Sequence, residues 1–237
     1  GAGLDVQVTA YHAPTMEKLL AQGFSCASAA DARRLAHRVA DALVLAITGK
    51  PGIASTRIAM VGNLSGKKEI YLCDADGENL RQLTNDKSLC LSPRWGPDGN
   101  TLLYVSYRSS FPDVILADLA SLSTRRLAAY PGLNSGGAVS PDGREVALIL
   151  SKDGNPDLYI KDLSSGRLTR LTTTKPAAEA SPSWSPDGRR LVFVSDSAGV
   201  GSPQLYMLDR SGGQPRRITG QGSENVDPDW GPNNFIV

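Results

Sequence analysis

The chain has little of what catalytic and metal-binding proteins usually show in sequence. It contains two histidines, His12 and His37, and neither sits in an HExxH, HxH or Cys/His spacing, which argues against a zinc site. Its three cysteines, Cys26, Cys73 and Cys90, lie far apart with no CxxC pair. An odd count leaves at least one free thiol, and isolated cysteines of this kind read as small buried side chains. No G-x-S-x-G elbow is present, so a hydrolase nucleophile has no recognisable seat. An excess of one charge is missing too. Lys and Arg number 25 against 24 Asp and Glu, a formal net charge of +1. Bulk electrostatics therefore favour neither nucleic acid nor an anionic membrane surface. No apolar run approaches the roughly 18–20 residues of a membrane-spanning helix. The expectation is a non-catalytic chain with no cofactor, no metal, no nucleic-acid partner and no membrane insertion. It begins Gly1-Ala2-Gly3 without a Met, which reads as a processed or trimmed start and carries no information on compartment.

What the sequence does have is a repeat. Trp95-Gly-Pro-Asp-Gly99 returns as Val139-Ser-Pro-Asp-Gly143, as Trp184-Ser-Pro-Asp-Gly188 and, decayed, as Trp230-Gly-Pro-Asn-Asn234. The aligned residues Asp98, Asp142, Asp187 and Asn233 are spaced by 44, 45 and 46. A second motif keeps the same phase: Ile70-Tyr-Leu-Cys-Asp74, Val114-Ile-Leu-Ala-Asp118, Leu158-Tyr-Ile-Lys-Asp162 and Leu205-Tyr-Met-Leu-Asp209. A third is Leu83-Thr84, Leu127-Ala128, Leu171-Thr172 and Ile218-Thr219. Fixed-phase repetition at this period marks a repeat architecture.

Each repeat reads as four short strands. The first ends at the Trp, and Pro-Asp-Gly then turns the chain because Pro pre-sets φ, Asp bonds the backbone ahead and Gly accepts positive φ. The second strand is a near-continuous apolar run, as in Val146-Ala-Leu-Ile-Leu150 and Leu191-Val-Phe-Val194. Strands apolar on both faces lie between layers. The Leu-Tyr-x-x-Asp segment is the third strand, a turn such as Ser165-Gly166 follows, and a basic outer strand ends in Leu-Thr. Four strands per unit with doubly buried central strands predict a mainly-β fold, a β-propeller of about four 4-stranded blades. Arg57-Ile-Ala-Met-Val61 matches a second strand, so the first copy lacks its first strand. Val226-Asp-Pro-Asp-Trp230 is expected to supply it and close the ring. The alternative is a larger propeller cut short.

Residues 1–52 differ and read as a small α/β segment ahead of a propeller at 53–237. Leu4, Val6, Val8 and Ala10 alternate with polar residues, a half-buried strand, and a second strand is expected within Glu17–Phe24. Ser28 is expected to cap a helix, with Asp31 completing a capping-box variant. Ala32, Leu35, Ala36, Val39, Leu43, Ala46 and Ile47 form its apolar face, and Gly49-Lys-Pro-Gly52 stops it. Gly62-Asn-Leu-Ser-Gly-Lys-Lys68 is a poor phosphate loop and reads as a hairpin turn. Asp74-Ala-Asp-Gly-Glu-Asn79 carries oxygens suited to calcium, but it falls where the other repeats have a plain turn.

The polar residues that precede each inner strand are the candidate binding set: Asn134 and Ser135, Glu179 and Ser181, and Glu224, Asn225 and Asp227. In a propeller these entries converge at one mouth of the central channel. Glu179, Glu224 and Asp227 are expected to make that mouth locally negative.

The helix Arg34-Leu-Ala-His-Arg-Val-Ala-Asp41, its exit Ile47-Thr-Gly-Lys-Pro-Gly-Ile-Ala-Ser-Thr-Arg-Ile-Ala59 and the Ser-Pro-Ser-Trp-Ser-Pro-Asp-Gly repeats together resemble the TolB family, the periplasmic propeller proteins of the Tol–Pal system. The resemblance spans nearly the whole chain. It implies a periplasmic, monomeric binding protein whose channel mouth receives a Pal-like peptidoglycan-associated lipoprotein. TolB-like proteins have six blades and a longer N-terminal domain that contacts inner-membrane partners; here the latter half of that domain and about four blades are visible. Prolyl oligopeptidase propellers carry similar Trp-Ser-Pro-Asp-Gly turns, so the alternative function is the gating propeller of a serine peptidase.

Overall fold

The structure, a computed structural model, describes residues 3–199, 201–220, 222 and 224–237. The chain divides into two compact units, residues 1–59 with 71–82 and residues 60–70 with 83–237.

The first unit opens with a hairpin of β1 (Leu4–His12) and β2 (Glu17–Cys26), paired from Leu4↔Cys26 to His12↔Glu17. Alternation makes the strand, but cover on its apolar side is thin: Leu4 and Val6 are each 38% exposed. The helix starts later than expected. Ser28 caps no backbone N–H. Its hydroxyl donates instead to the Asp31 carboxylate at 2.9 Å, and a single 3-10 turn, Ala29–Asp31, precedes α1 (Ala32–Thr48). Of the expected apolar face, Leu35 is buried. Gly49 ends the helix with φ 70°, its N–H bonded to the Leu45 carbonyl at 2.9 Å, the left-handed cap that glycine adopts without a Cβ penalty.

Three strands follow, β3 (Arg57–Gly62), β4 (Glu69–Asp74) and β5 (Arg81–Gln82), in the sheet order β3-β4-β5. Residues 62–68 make the expected turn, with the Gly66 N–H on the Asn63 carbonyl at 2.9 Å. Around Asp74–Asn79 the side-chain oxygens are already engaged. Arg33 binds both Asp74 and Asp76, and His37 Nε2 lies 3.0 Å from Asp76.

The second unit is built from three complete four-stranded antiparallel blades. The first holds β6 (Cys90–Trp95), β7 (Thr101–Ser106), β8 (Asp113–Asp118) and β9 (Ser123–Ala128). The next holds β10 (Asn134–Val139), β11 (Glu145–Leu150), β12 (Asp157–Asp162) and β13 (Leu168–Arg170). The last holds β14 (Glu179–Trp184), β15 (Arg190–Ser195), β16 (Gln204–Asp209) and β17 (Arg216–Arg217). Each second strand pairs over its whole length with the third, from Thr101↔Asp118, Glu145↔Asp162 and Arg190↔Asp209.

The core lies between blades, and the two-residue period of the strand explains it. On β11, Val146, Leu148 and Leu150 pack with Leu103, Val105 and Val114 of the preceding blade. Ala147 and Ile149, on the other face, pack with Trp184, Leu191 and Phe193 of the following blade. The same split recurs on β15, where Val192 and Val194 meet Trp230. A strand that must fill two interfaces has no room for polar residues, which is why these runs are apolar throughout.

Among the described residues no strand from 226–230 pairs with β3. The first sheet holds three strands. Trp230 bridges Ile236, and Asp229 exchanges two backbone hydrogen bonds with Val237 at 2.9 and 3.0 Å. That pairing resembles Trp95↔Leu102 and Trp184↔Leu191. Residues 229–237 thus pair with one another in the way the first and second strands of a blade do.

Candidate binding surface on the inner strands

A β-bulge recurs on every complete inner strand. Pairing runs from Leu91↔Val105 to Arg94↔Leu103, from Ser135↔Ile149 to Ala138↔Ala147, and from Ala180↔Val194 to Ser183↔Val192. Each step spans three residues on the inner strand against two on its partner, so one residue is extra. The residues within the bulges have positive φ: Ser92 at 52°, Gly136 at 65° and Ser181 at 46°. Asp227, at the equivalent place in the C-terminal segment, has φ 50°. Pro93, Pro182 and Pro228 follow three of them, which a ladder tolerates at a bulge because Pro offers no N–H. Gly136 is required by a close approach as well as by φ, since a Cβ there would sit 3.0 Å from Pro182 Cδ and 3.2 Å from Ile149 Cγ1.

These bulge residues meet across blades. The Ser181 hydroxyl donates to Asp227 at 2.5 Å, and Ser183 donates to Asp229 at 3.2 Å. Arg94 of β6 approaches Asp229 at 3.9 Å, so inner-strand residues three repeats apart come within ion-pair reach. Asp227 and Glu224 are exposed and Ser181 is half-buried. Row position 92/136/181/227 is legible in the repeat, but Ser92 and Gly136 were not among the expected residues. Arg94 and Asp229, each between a Pro and the Trp of its repeat, were not among the expected residues either.

The other expected residues lie behind this row. Asn134 is wholly buried, accepting the Tyr130 N–H at 2.9 Å and donating to the Tyr130 carbonyl at 2.7 Å. Ser135 is half-buried at the start of its bulge. Asn225 donates to Gln204 at 3.1 Å. Glu179 is 2% exposed; Thr174 donates to one of its oxygens, and Oε2 has no hydrogen-bond partner. Burial, with the Asp157 carboxylate beside it, pushes its carboxyl up to about 7. Glu179 therefore does not supply an exposed rim charge, because its side chain points into the seam between blades. Glu224, Asp227 and Asp229 are the exposed acids of residues 224–230.

The seam itself is periodic. The first residues of the third strands, Glu69, Asp113, Asp157 and Gln204, are all buried. Thr84, Thr172 and Thr219 each accept the backbone N–H of the next residue, Ile70, Leu158 and Leu205, at 2.9, 2.9 and 3.0 Å. This is the physical reason for the recurring Leu-Thr: the hydroxyl ends the outer strand while satisfying a buried donor. Among the described residues no group of three His, Cys, Asp or Glu is placed to hold a metal ion.

Repeated four-stranded sheets with their cores between blades define a β-propeller repeat protein. A profile of the TolB beta propeller domain matches residues 44–237, and the chain belongs to that family. It is 40% identical over 181 residues to the Tol-Pal system protein TolB of Bordetella pertussis, covering 76% of this chain and 41% of that protein. It is 38% identical over 192 residues to the protein TolB homolog of Chlorobium luteolum, covering 78% and 41%. The crystal structure of TolB from Acinetobacter baumannii superposes with a TM-score of 0.86 at 30% identity, over 99% of this chain and 59% of that one. The chain thus spans about two fifths of the curated relatives it matches.

Proposed function

We propose that this chain is a non-catalytic binding protein of a Tol–Pal envelope system, working in the periplasm as a monomer. In this reading a Pal-like lipoprotein docks on the inner-strand face, at the residues Ser135, Ser181, Glu224, Asn225 and Asp227, with Asn134 and Glu179 holding that face from behind. The observation that carries the reading is the row of bulged residues joined by the Ser181–Asp227 hydrogen bond at 2.5 Å. Bulges re-aim side chains and are favoured beside functional sites, and this row is presented by a rigid scaffold. Relatedness to Tol-Pal system proteins supports the choice of partner.

Lack of catalysis fits the chemistry of the candidate nucleophiles. Burial pushes the Cys90 thiol up to about 12, and the nucleophile of cysteine chemistry is the thiolate. We read residues 1–52 as part of an N-terminal domain and the propeller as extending over 53–237. In this reading the blades belong to a larger, six-bladed ring, and the pairing of residues 229–237 with one another supports it.

The test is binding of the purified Pal-like lipoprotein to wild type and to the Glu224→Lys/Asp227→Lys variant by surface plasmon resonance. Rim charges act chiefly on association, so the variant should associate more slowly, and wild-type association should slow as salt rises. Unchanged rates and no salt dependence would place the docking surface elsewhere.

A further inference from the structure

Charge is unevenly placed in the first unit. Residues 1–59 and 71–82 carry seven Lys or Arg and seven Asp or Glu. A cleft of about 740 Å³ within this unit is lined by four of those cations, Arg34, Arg38, Arg57 and Arg81, and by one acid, Asp74. That acid is already committed, since Arg33 and Asn79 both donate to its Oδ2. The unit is neutral as a whole, yet its cleft is positive, and low-dielectric walls strengthen such a local field.

The guanidinium groups come from different elements. Arg34 and Arg38 project from the first two turns of α1, and Arg34 is paired with Asp31. Arg57 begins β3 and Arg81 begins β5. Arg38 donates to the Ser25 carbonyl, a neutral partner that orients the group and leaves its charge uncompensated. Arg81 pairs with Leu72 through the strand backbone, and its exposed side chain makes no hydrogen bond or ion pair among the described residues. His37 also lines the cleft, its ring held by Asp76 at 3.0 Å.

Apolar surface is interleaved with this charge. Leu72 and Leu80 line the same cleft, and Leu80 is 51% exposed. The volume is that of a ligand site rather than a surface wrinkle. A phosphate pocket gathers backbone N–H groups of a glycine-rich loop or nest around one point. Here separated planar forks, each matched to a carboxylate, flank leucine side chains.

We infer that this cleft binds an acidic peptide segment of a protein partner, its carboxylates taken by Arg38 and Arg81 and an intervening apolar side chain resting on Leu80. The site shares no residue with the inner-strand row and stands whether or not that row binds a lipoprotein.

The test is fluorescence anisotropy of a labelled Glu-Leu-Glu-Leu-Glu peptide with the full chain. The controls are the same peptide with Gln for Glu, and inorganic phosphate as competitor. Wild type should bind the acidic peptide and not the Gln peptide. The Arg38→Glu/Arg81→Glu variant should weaken binding by about tenfold or more, as expected for reversed charge pairs. Phosphate should compete no better than chloride at equal ionic strength. Should the double variant fail to fold by circular dichroism, Arg81→Gln, a change at an exposed side chain, should weaken binding by about threefold. The inference is overturned if wild type does not bind, if the Gln peptide binds equally, if folded variants keep wild-type affinity, or if phosphate displaces the peptide specifically.

Discussion

Replacing Glu179 by Gln should remove a pH dependence from the stability of this propeller. Glu179 opens β14 with 2% of its surface exposed and one oxygen unpartnered. In the next repeat the equivalent pair of positions holds Gln204 and Asn225, which meet through an amide hydrogen bond of 3.1 Å. At Asp157 and Glu179 two carboxyls occupy this seam, and two adjacent carboxylates cannot both ionise cheaply. Burial first, and Asp157 after it, raise the Glu179 carboxyl from 4.5 to about 7. The unfolded chain releases this proton near 4.5 and the folded chain holds it to about 7. Between those values the folded state binds more protons, so stability falls as pH rises and levels off above the window. At about 1.4 kcal/mol per unit, the full effect is about 3 kcal/mol. Gln stays neutral throughout and lacks this slope; any contact it loses shifts stability by a constant. Urea denaturation of both proteins from about pH 4.5 to 8, followed by tryptophan fluorescence, measures the difference directly. The variant should gain about 3 kcal/mol relative to wild type across that range. Parallel curves would refute the reasoning and mean that Glu179 is ionised in the folded protein at neutral pH.

Other outcomes follow from the same packing. Trp184→Ala should lower stability by about 3–5 kcal/mol in denaturant titration, the usual cost of deleting a buried aromatic, because Trp184 fills the seam between two blades and donates to the Ala138 carbonyl at 2.8 Å. An unchanged midpoint would remove that packing role. Gly136→Ala should cost about 1–3 kcal/mol, as is usual for a side chain forced into positive φ, and its Cβ would press on Pro182; a variant as stable as wild type by thermal melting would show that the bulge relaxes freely. Thr172→Val should cost about 1–3 kcal/mol by urea titration, the price of leaving the buried Leu158 N–H without an acceptor, and an unaltered midpoint would mean that another group takes its place.

The sequence by itself determined the blades of this protein, because each blade is a local unit. The turn chemistry of Pro-Asp-Gly, the apolar runs at 102–105, 146–150 and 191–194 and the Leu-Thr ends act over a few residues, and a repeated local solution leaves a repeated local signature. Burial on both faces of β11 was legible for the same reason: an unbroken apolar run has one physical use in a layered β fold. The capping of α1 was less so, since the Ser28 hydroxyl donates to the Asp31 carboxylate instead of accepting a backbone N–H, a choice that composition does not resolve. The candidate surface was legible only in part. Ser181 and Asp227 do meet, but Asn134 and Glu179, equally polar and equally placed before an inner strand, turn inward. Only the tertiary structure decided this, because the direction of a side chain at a bulge depends on which residue is extra and on what the neighbouring blade offers it. The local pairing of the final segment was decided the same way: residues 226–230 suit the inner place of any blade, and only the structure shows Asp229 bonded to Val237.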